Sequence, residues 1–516
     1  MTTINEKKEI AVGANKYSPN KHSPNKYSPN KYSPNKYSLN KYSPNKYSSN
    51  KYSPNKYSPN KYSSNKYSPQ FHIATILPVF FIIICLCCLC GHILAQGQGE
   101  GKEKGWKNQP EKVVVNDHLS FIYQQDLSSE LTVIHILVKG GKRAVPVSQR
   151  GLGFITTGLA VEMPDMEEVR ELTQMASVHY YHVHGDYVTI SISSLTANLE
   201  KTLKIIARVL RKPLLSDLRI SNIKRYLKHR QQAEADSPEQ LMESTFFNAL
   251  FTSYAGSIYG DPESLKNIKR KHVLDFYKRF FNHAHMIISV CTDLSKAEII
   301  PIIGRNFASF PAGELQPLEK TTASVPEKKQ IFAAKDNQQV LISYGALLPG
   351  MSRKNFALIY LLENLLGKGI GSKLWALRDQ KELAYSLAAR FIQMQDAGLL
   401  TIFLKTDISK KEEARLALKG LISDLHKNGI TPEDLAITRV RSRADFLRDN
   451  ETKERRCRWL AYFEALGVGF DYLEAFFSQV DQVTLEDLNT YLKEVLNPDQ
   501  LLEVVIGRGS GDEAGT

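Results

Sequence analysis

Histidines, cysteines, serines and a glycine-rich turn are the side chains in this chain of 516 residues whose types could do chemistry. His179, His182 and His184 cluster near one expected strand, and His283 and His285 near another. Residues two apart on a strand share a face, so His182 and His184 could both reach one metal ion. A zinc site usually needs four convergent ligands, and no spacing here enforces that. Ordinary strand histidines are the plainer reading. Cys85, Cys87, Cys88 and Cys90 all lie in one apolar run, whereas Cys291 and Cys457 stand far apart in the remainder. That pattern is neither a disulfide framework nor a paired C-x-x-C zinc spacing. No G-x-S-x-G elbow occurs, which argues against a serine hydrolase of that type. Gly367, Gly369 and Gly371 do not follow the order of a phosphate-binding loop.

Charge and hydropathy divide the chain. Residues 1–95 hold thirteen lysines, two glutamates and no arginine, and so carry +11 of the net +13. The remainder is close to neutral and has no basic patch interleaved with aromatics, so nucleic-acid binding is not expected. Asn15 to Pro69 is eleven units of a five-residue Asn-Lys-Tyr-Ser-Pro repeat. Its prolines block helix and sheet and it has no aliphatic core, so residues 1–70 are expected to be a disordered tail. The apolar stretch Ile73 to Ala95, within 71–95, is long enough to span a bilayer as one helix. Lysines precede it, which predicts an inside N-terminus and export of the chain beyond residue 95. Signal anchor and cleaved signal peptide, with the product at the membrane or in the periplasm, are both open. A linker is expected over 96–111.

From Lys112 onward the patterning predicts two similar halves. Strands are expected at 120–122, 131–139, 187–193 and 285–291, and helices at 199–210, 217–231, 238–250 and 272–281. The second half repeats the plan, with strands at 339–347, 399–406 and 501–506 and helices at 352–366, 411–427 and 431–449. Each half ends with an aromatic-striped helix, an Asn (Asn282, Asn497) and a terminal strand. This self-similarity points to a duplicated domain. The expected fold class is α+β: two tandem domains, 112–311 and 330–508, joined by a linker at 312–329. Each would be an antiparallel sheet packed with helices.

Four stretches, in this order, resemble the pitrilysin-like (insulinase) zinc peptidases. Gly151-Leu152-Gly153 leads into a helix where that family carries H-x-x-E-H, two zinc-binding His on one helix face with a general-base Glu between them. Ser257-Ile258-Tyr259-Gly260-Asp261-Pro262 is similar to the family's H-P-Y-G-x-P segment. Gly369-Ile370-Gly371-Ser372 and then Arg378 with Glu382-Leu383-Ala384-Tyr385-Ser386 are similar to its L-R-x-x-x-x-L-A-Y-S signature. The metal positions depart from the family. Phe154, Thr157 and Gly158 stand where His, Glu and His belong, and Lys228 to Gln231 fill the expected region of the third ligand. None of Phe, Thr and Gly ligates zinc as imidazole and carboxylate do.

The resemblance therefore implies a subunit that coordinates no zinc and has no cofactor of its own. Its heterodimeric partner would carry the zinc, and its substrate would be a peptide. Arg378 and Tyr385 would act in trans, donating to the oxyanion at the partner's site, and Gly369, Gly371 and Ser372 would contact substrate. The plainer reading makes Arg378 a surface helix residue and Tyr385 a strand residue packing on it. A non-enzymatic peptide-binding or scaffold protein of the same fold is the alternative function. An active peptidase built on displaced histidines would need a ligand set foreign to the fold.

Overall fold

A computed structural model of the chain describes residues 108–508. The expected repeat tail, the apolar run and nearly all of the first linker lie outside these residues. Among the described residues no helix is long and apolar enough to cross a membrane.

Among the described residues eleven strands form two sheets. The first comprises β1 (Glu111–Val114), β2 (Ser120–Gln125), β3 (Leu131–Lys139), β4 (Val178–Val183), β5 (Tyr187–Leu195) and β6 (Met286–Thr292), in the order β1-β2-β6-β3-β5-β4. The second comprises β7 (Gln330–Ala334), β8 (Gln339–Pro349), β9 (Ser386–Gln393), β10 (Ala397–Asp407) and β11 (Leu501–Gly507), in the order β7-β11-β8-β10-β9. The expected all-antiparallel sheets are corrected to mixed ones: β2 runs parallel to β6, and β7 parallel to β11. Each parallel pair joins an early strand to the last strand of its half, a long-range closure with no local sequence signal.

The first half carries helices α1 (Leu152–Val161), α2 (Met166–Gln174), α3 (Leu199–Arg211), α4 (Asp217–Asp236), α5 (Pro238–Leu250), α6 (Pro262–Asn267), α7 (Arg270–Phe280) and α8 (Lys296–Phe307). The second carries α9 (Arg353–Gly367), α10 (Trp375–Asp379), α11 (Lys411–Asn428), α12 (Pro432–Asp449), α13 (Lys453–Ala465), α14 (Tyr472–Gln482) and α15 (Leu485–Val495). Helix starts follow local chemistry. Thr431 caps α12 by accepting the Asp434 N–H, Asp434 reciprocates, and Pro432 occupies the first turn.

Strand β3 shows how the halves are joined. Its residues alternate between faces. Ile134, Ile136 and Val138 enter the core of the first half with Ile155 and Leu159 of α1. Val133 on the opposite face joins the core of the second half, as do Ile122 and Cys291. Helix α13, although it belongs to the second half in sequence, covers that face. Lys453 Nζ donates to Ser129 O (2.6 Å) and Leu131 O (2.8 Å), and Cys457 Sγ donates to Ser289 O (3.0 Å). Arg143 bridges the halves a second time. Its guanidinium pairs with Asp186 at 2.9 Å and with Asp396 of the β9–β10 turn at 2.7 Å, with both Arg143 and Asp186 buried.

Candidate functional site

Helix α1 begins at Gly151, whose φ of 94° is left-handed. A Cβ there would meet Leu265 Cδ2 at 2.9 Å and Tyr259 O at 3.0 Å, so the turn is packed against the Ser257–Gly260 segment. This is how two of the sequence motifs come together: the loop before α6 closes over the start of α1.

The face of α1 that carries Phe154, Thr157 and Gly158 meets aromatic rings. Phe154 stands edge-on to Tyr181 of β4 (5.1 Å) and to Tyr259 (5.3 Å), and stacks with Tyr226 of α4 (6.3 Å). The Tyr181 hydroxyl lies 2.6 Å from the point where a Cβ on Gly158 would sit. Burial pushes the Tyr181 phenol above its ordinary range. The Thr157 hydroxyl is buried without a hydrogen-bond partner. Arg230 of α4 lies 5.0 Å over the Tyr259 ring and donates to its hydroxyl at 2.8 Å. That hydrogen bond is the first cause of its raised pKa.

These side chains do not fit a zinc ion. The space beside Gly158 is taken by the Tyr181 phenol and Ile223, and Phe154 is surrounded by three tyrosine rings, none of which replaces imidazole. Helix α4 runs on to Asp236, five residues beyond its expected end at 231, and carries Glu234 with it. Its carboxylate accepts the Ser257 hydroxyl instead of facing an open ligand position. Among the described residues no group of three or more His, Cys, Asp or Glu could hold a metal ion. His182 and His184 are neighbours with ring centres 6.3 Å apart, but His179 bonds Val161 O at 2.9 Å. His285 is committed to Asn282 Oδ1 at 2.9 Å and to the Gln316 N–H at 3.0 Å.

The residues singled out in the second half sit together on one loop-helix-strand unit. Gly369 and Gly371 adopt left-handed φ values of 83° and 81°. Ser372 is buried and donates its hydroxyl to Gly369 O at 2.7 Å, which closes the turn. Arg378 is exposed on α10 and lies 5.0 Å over the Trp375 ring. Tyr385, just before β9, holds its main chain to Lys405 O at 2.9 Å while its side chain is 59% exposed. Phe246 and Phe476 are fully buried core residues. The aromatic plug was not foreseen. Tyr181 and Tyr259 stand in segments already notable in the sequence, but only pairing of β4 and closure of the loop bring them onto α1.

Two mixed sheets with flanking helices thus carry a motif helix whose ligand face is packed with rings instead of zinc-ligating side chains. Residues 267–440 match the family described as Peptidase M16 inactive domain. An uncharacterized zinc protease of Mycobacterium leprae is 22% identical over 268 residues, covering 51% of this chain and 60% of that protein. The chain thus aligns with about three-fifths of the mycobacterial relative's length. Zinc protease PqqE of Helicobacter pylori is 23% identical over 334 residues, covering 62% of this chain and 75% of that one. Among solved structures, the M16 inactive domain from Pseudomonas fluorescens superposes with a TM-score of 0.72 at 19% identity, covering 78% of this chain and 98% of that one. A Helicobacter pylori protease superposes with a TM-score of 0.69 at 18% identity, covering 77% and 99%. Over the matched stretches the chain is similar to the M16, or pitrilysin-like, peptidases.

Proposed function

We propose that this chain is the non-metal-binding subunit of a heterodimeric zinc peptidase, exported by means of residues 73–95. The observation that carries this reading is a contrast within the chain. The ligand face of α1 is closed by Phe154 and Tyr181, whereas Arg378 and Tyr385 remain exposed. A side chain retained only for packing would bury its apolar part, but Tyr385 presents most of its ring to solvent.

In this reading a partner subunit carries H-x-x-E-H, and zinc bound there supplies a polarised water and carbonyl. Arg378 contributes a charged donor and Tyr385 a phenol donor, both aimed at the oxyanion that forms in the transition state. The turn of Gly369, Gly371 and Ser372 offers backbone groups to the peptide. Gly369 has no heavy atom within 4 Å of its Cβ position, so extended substrate can approach its main chain closely. Alone, the chain cleaves nothing. The second reading, a peptide-binding or scaffold protein that has left catalysis, draws on the same plug.

The test is co-expression with a genomically adjacent H-x-x-E-H protein and an assay of peptide hydrolysis. Activity that needs both chains, and that falls about 10²–10³-fold in kcat with Arg378→Ala or Tyr385→Phe, is expected for lost oxyanion donors. Absence of a complex, or activity indifferent to both substitutions, would leave the scaffold reading.

A further inference from the structure

Between the halves lies a cleft with about 350 Å³ of free space, lined by Tyr187 of β5 and by residues of α9, β9, the end of α12 and α13. Its walls are chiefly rings: Tyr187, Tyr360, Trp459 and Tyr462. Tyr187 and Tyr462 meet edge-on at 6.1 Å, and Trp459 and Tyr462 at 5.4 Å. Two carboxylates are set among them. Asp449 accepts the Tyr360 hydroxyl at 2.9 Å. Glu363 is only 8% exposed, and burial raises its pKa.

Among the lining side chains the cation is Lys368, which pairs with Glu363. Lys368 Nζ lies 2.9 Å from Glu363 Oε2 and 4.4 Å from the centre of the Tyr360 ring. Aromatic faces and buried carboxylate attract the same kind of guest, a cation partly stripped of water. The lining as it stands is one formal negative charge in excess. Arg458, next to Trp459 and outside the lining, exerts its charge on Tyr187 and Tyr462 of the cleft as well as on His182 and His184. The indole N–H of Trp459 is buried and has no hydrogen-bond partner.

The position of Lys368 in the chain bears on its role. It directly follows α9 and precedes Gly369 and Gly371, both left-handed and with no close contact at their Cβ positions. The turn is held by Ser372, whose hydroxyl donates to Gly369 O at 2.7 Å, and by Arg441, which donates to Lys368 O. Lys368 is thus a cation of the chain seated in the cleft from the end of α9.

We propose that the cleft is a binding site for a primary alkylammonium group, with Lys368 as its built-in competitor. Either a lysine side chain or a free α-amine could supply that group. The site needs neither zinc nor a partner subunit, so it stands apart from the function proposed above.

The test is titration of the full chain with n-butylammonium chloride, followed by tryptophan fluorescence and calorimetry. Butanol serves as the neutral isostere and sodium chloride as the ionic-strength control. Saturable quenching by the amine is expected, lost in Trp459→Phe. Removing the competitor in Lys368→Met tightens binding about five- to tenfold, and Asp449→Asn weakens it by a similar factor. Lys368→Gln repeats the first comparison should the Met variant misfold. Nα-acetyl-lysine methylamide and alanine methylamide then separate a side-chain amine from an α-amine. Equal binding of butanol, a signal that sodium chloride reproduces, or an affinity unchanged by loss of the Lys368 charge would overturn the proposal.

Discussion

The hydroxyl of Tyr181 stands 2.6 Å from the point a Cβ on Gly158 would occupy, and Ile223 Cδ1 lies 3.2 Å from it. Position 158 is therefore closed to any side chain while Tyr181 keeps its rotamer. Helix propensity alone would make Gly158→Ala stabilising by about 1 kcal/mol. Overpacking costs about 1–3 kcal/mol and should win. The expected outcome in urea unfolding is a lower midpoint for Gly158→Ala, relieved when Tyr181→Phe is added. A midpoint that rises in the single variant would mean that the ring moves freely aside.

The same geometry bears on any attempt to rebuild the ligand face. Phe154→His with Thr157→Glu and Gly158→His restores the H-x-x-E-H side chains but leaves Tyr181 in their space. That triple variant should not take up zinc stoichiometrically, as read by a chromophoric zinc indicator. Adding Tyr181→Ala should improve uptake. Tight zinc binding by the triple variant alone would show that the plug is not the obstacle.

Arg143 joins the halves through Asp186 and Asp396, with 2% and 6% side-chain exposure at the first two. Main-chain N–H groups of Gln395 and Thr321 complete the two carboxylates at 3.0 Å and 2.9 Å. Removing one member of a buried pair leaves uncompensated charge and costs about 3–5 kcal/mol. Arg143→Ala should lose about that much in equilibrium unfolding. A loss below about 1 kcal/mol would assign the bridge a surface-like role.

His135 is buried on β3 under α13, and neither ring nitrogen has a partner. Burial is the main cause that lowers its pKa from 6.5 to about 3, with the charge of Arg458 second. The unfolded chain thus binds this proton more readily than the folded one. Stability from a neutral His135 is complete above about pH 6.5 and declines as pH falls toward about 3. The expected slope from this one group within that window is at most about 1.4 kcal/mol per pH unit. His135→Leu should flatten the acid limb of a stability-pH curve measured from pH 4.5 to 7.5. An unchanged slope would refute the assignment.

Arg378 and Tyr385 are both exposed, so their substitution should leave the fold intact. Arg378→Ala and Tyr385→Phe are expected within about 0.5 kcal/mol of the parent chain in unfolding experiments. Loss of activity in the complex could then be assigned to the site. A large destabilisation would instead make the pair structural.

Much of the architecture was legible because hydrophobic period is a local property. The bounds 131–139 and 238–250 coincide with β3 and α5, and the cap at Thr431 marks the start of α12. Helix α13 was missed for a physical reason. Its buried residues include Lys453 and Arg456 beside Cys457 and Leu460, so no clean apolar stripe appears. Ser129 O and Leu131 O of the other half receive Lys453, while Asp126 of that half and the carbonyls of Asn450 and Glu451 receive Arg456, and no helix-periodic pattern records that.

The residue types at 154, 157 and 158 by themselves determined that α1 could not bind zinc as its relatives' motif does, since ligation depends on the donor atoms a side chain carries. The α+β class followed from periodicity in the same way. Tertiary structure alone decided what took the metal's place. Tyr181, Tyr226 and Tyr259 arrive on α1 from a strand, a helix and a loop, and only the packed fold sets their rings against Phe154. The same holds for the cleft of Glu363, Lys368 and Asp449, and for the parallel strand pairs. Contacts between residues far apart in sequence are selected by global packing and leave no mark in local patterning.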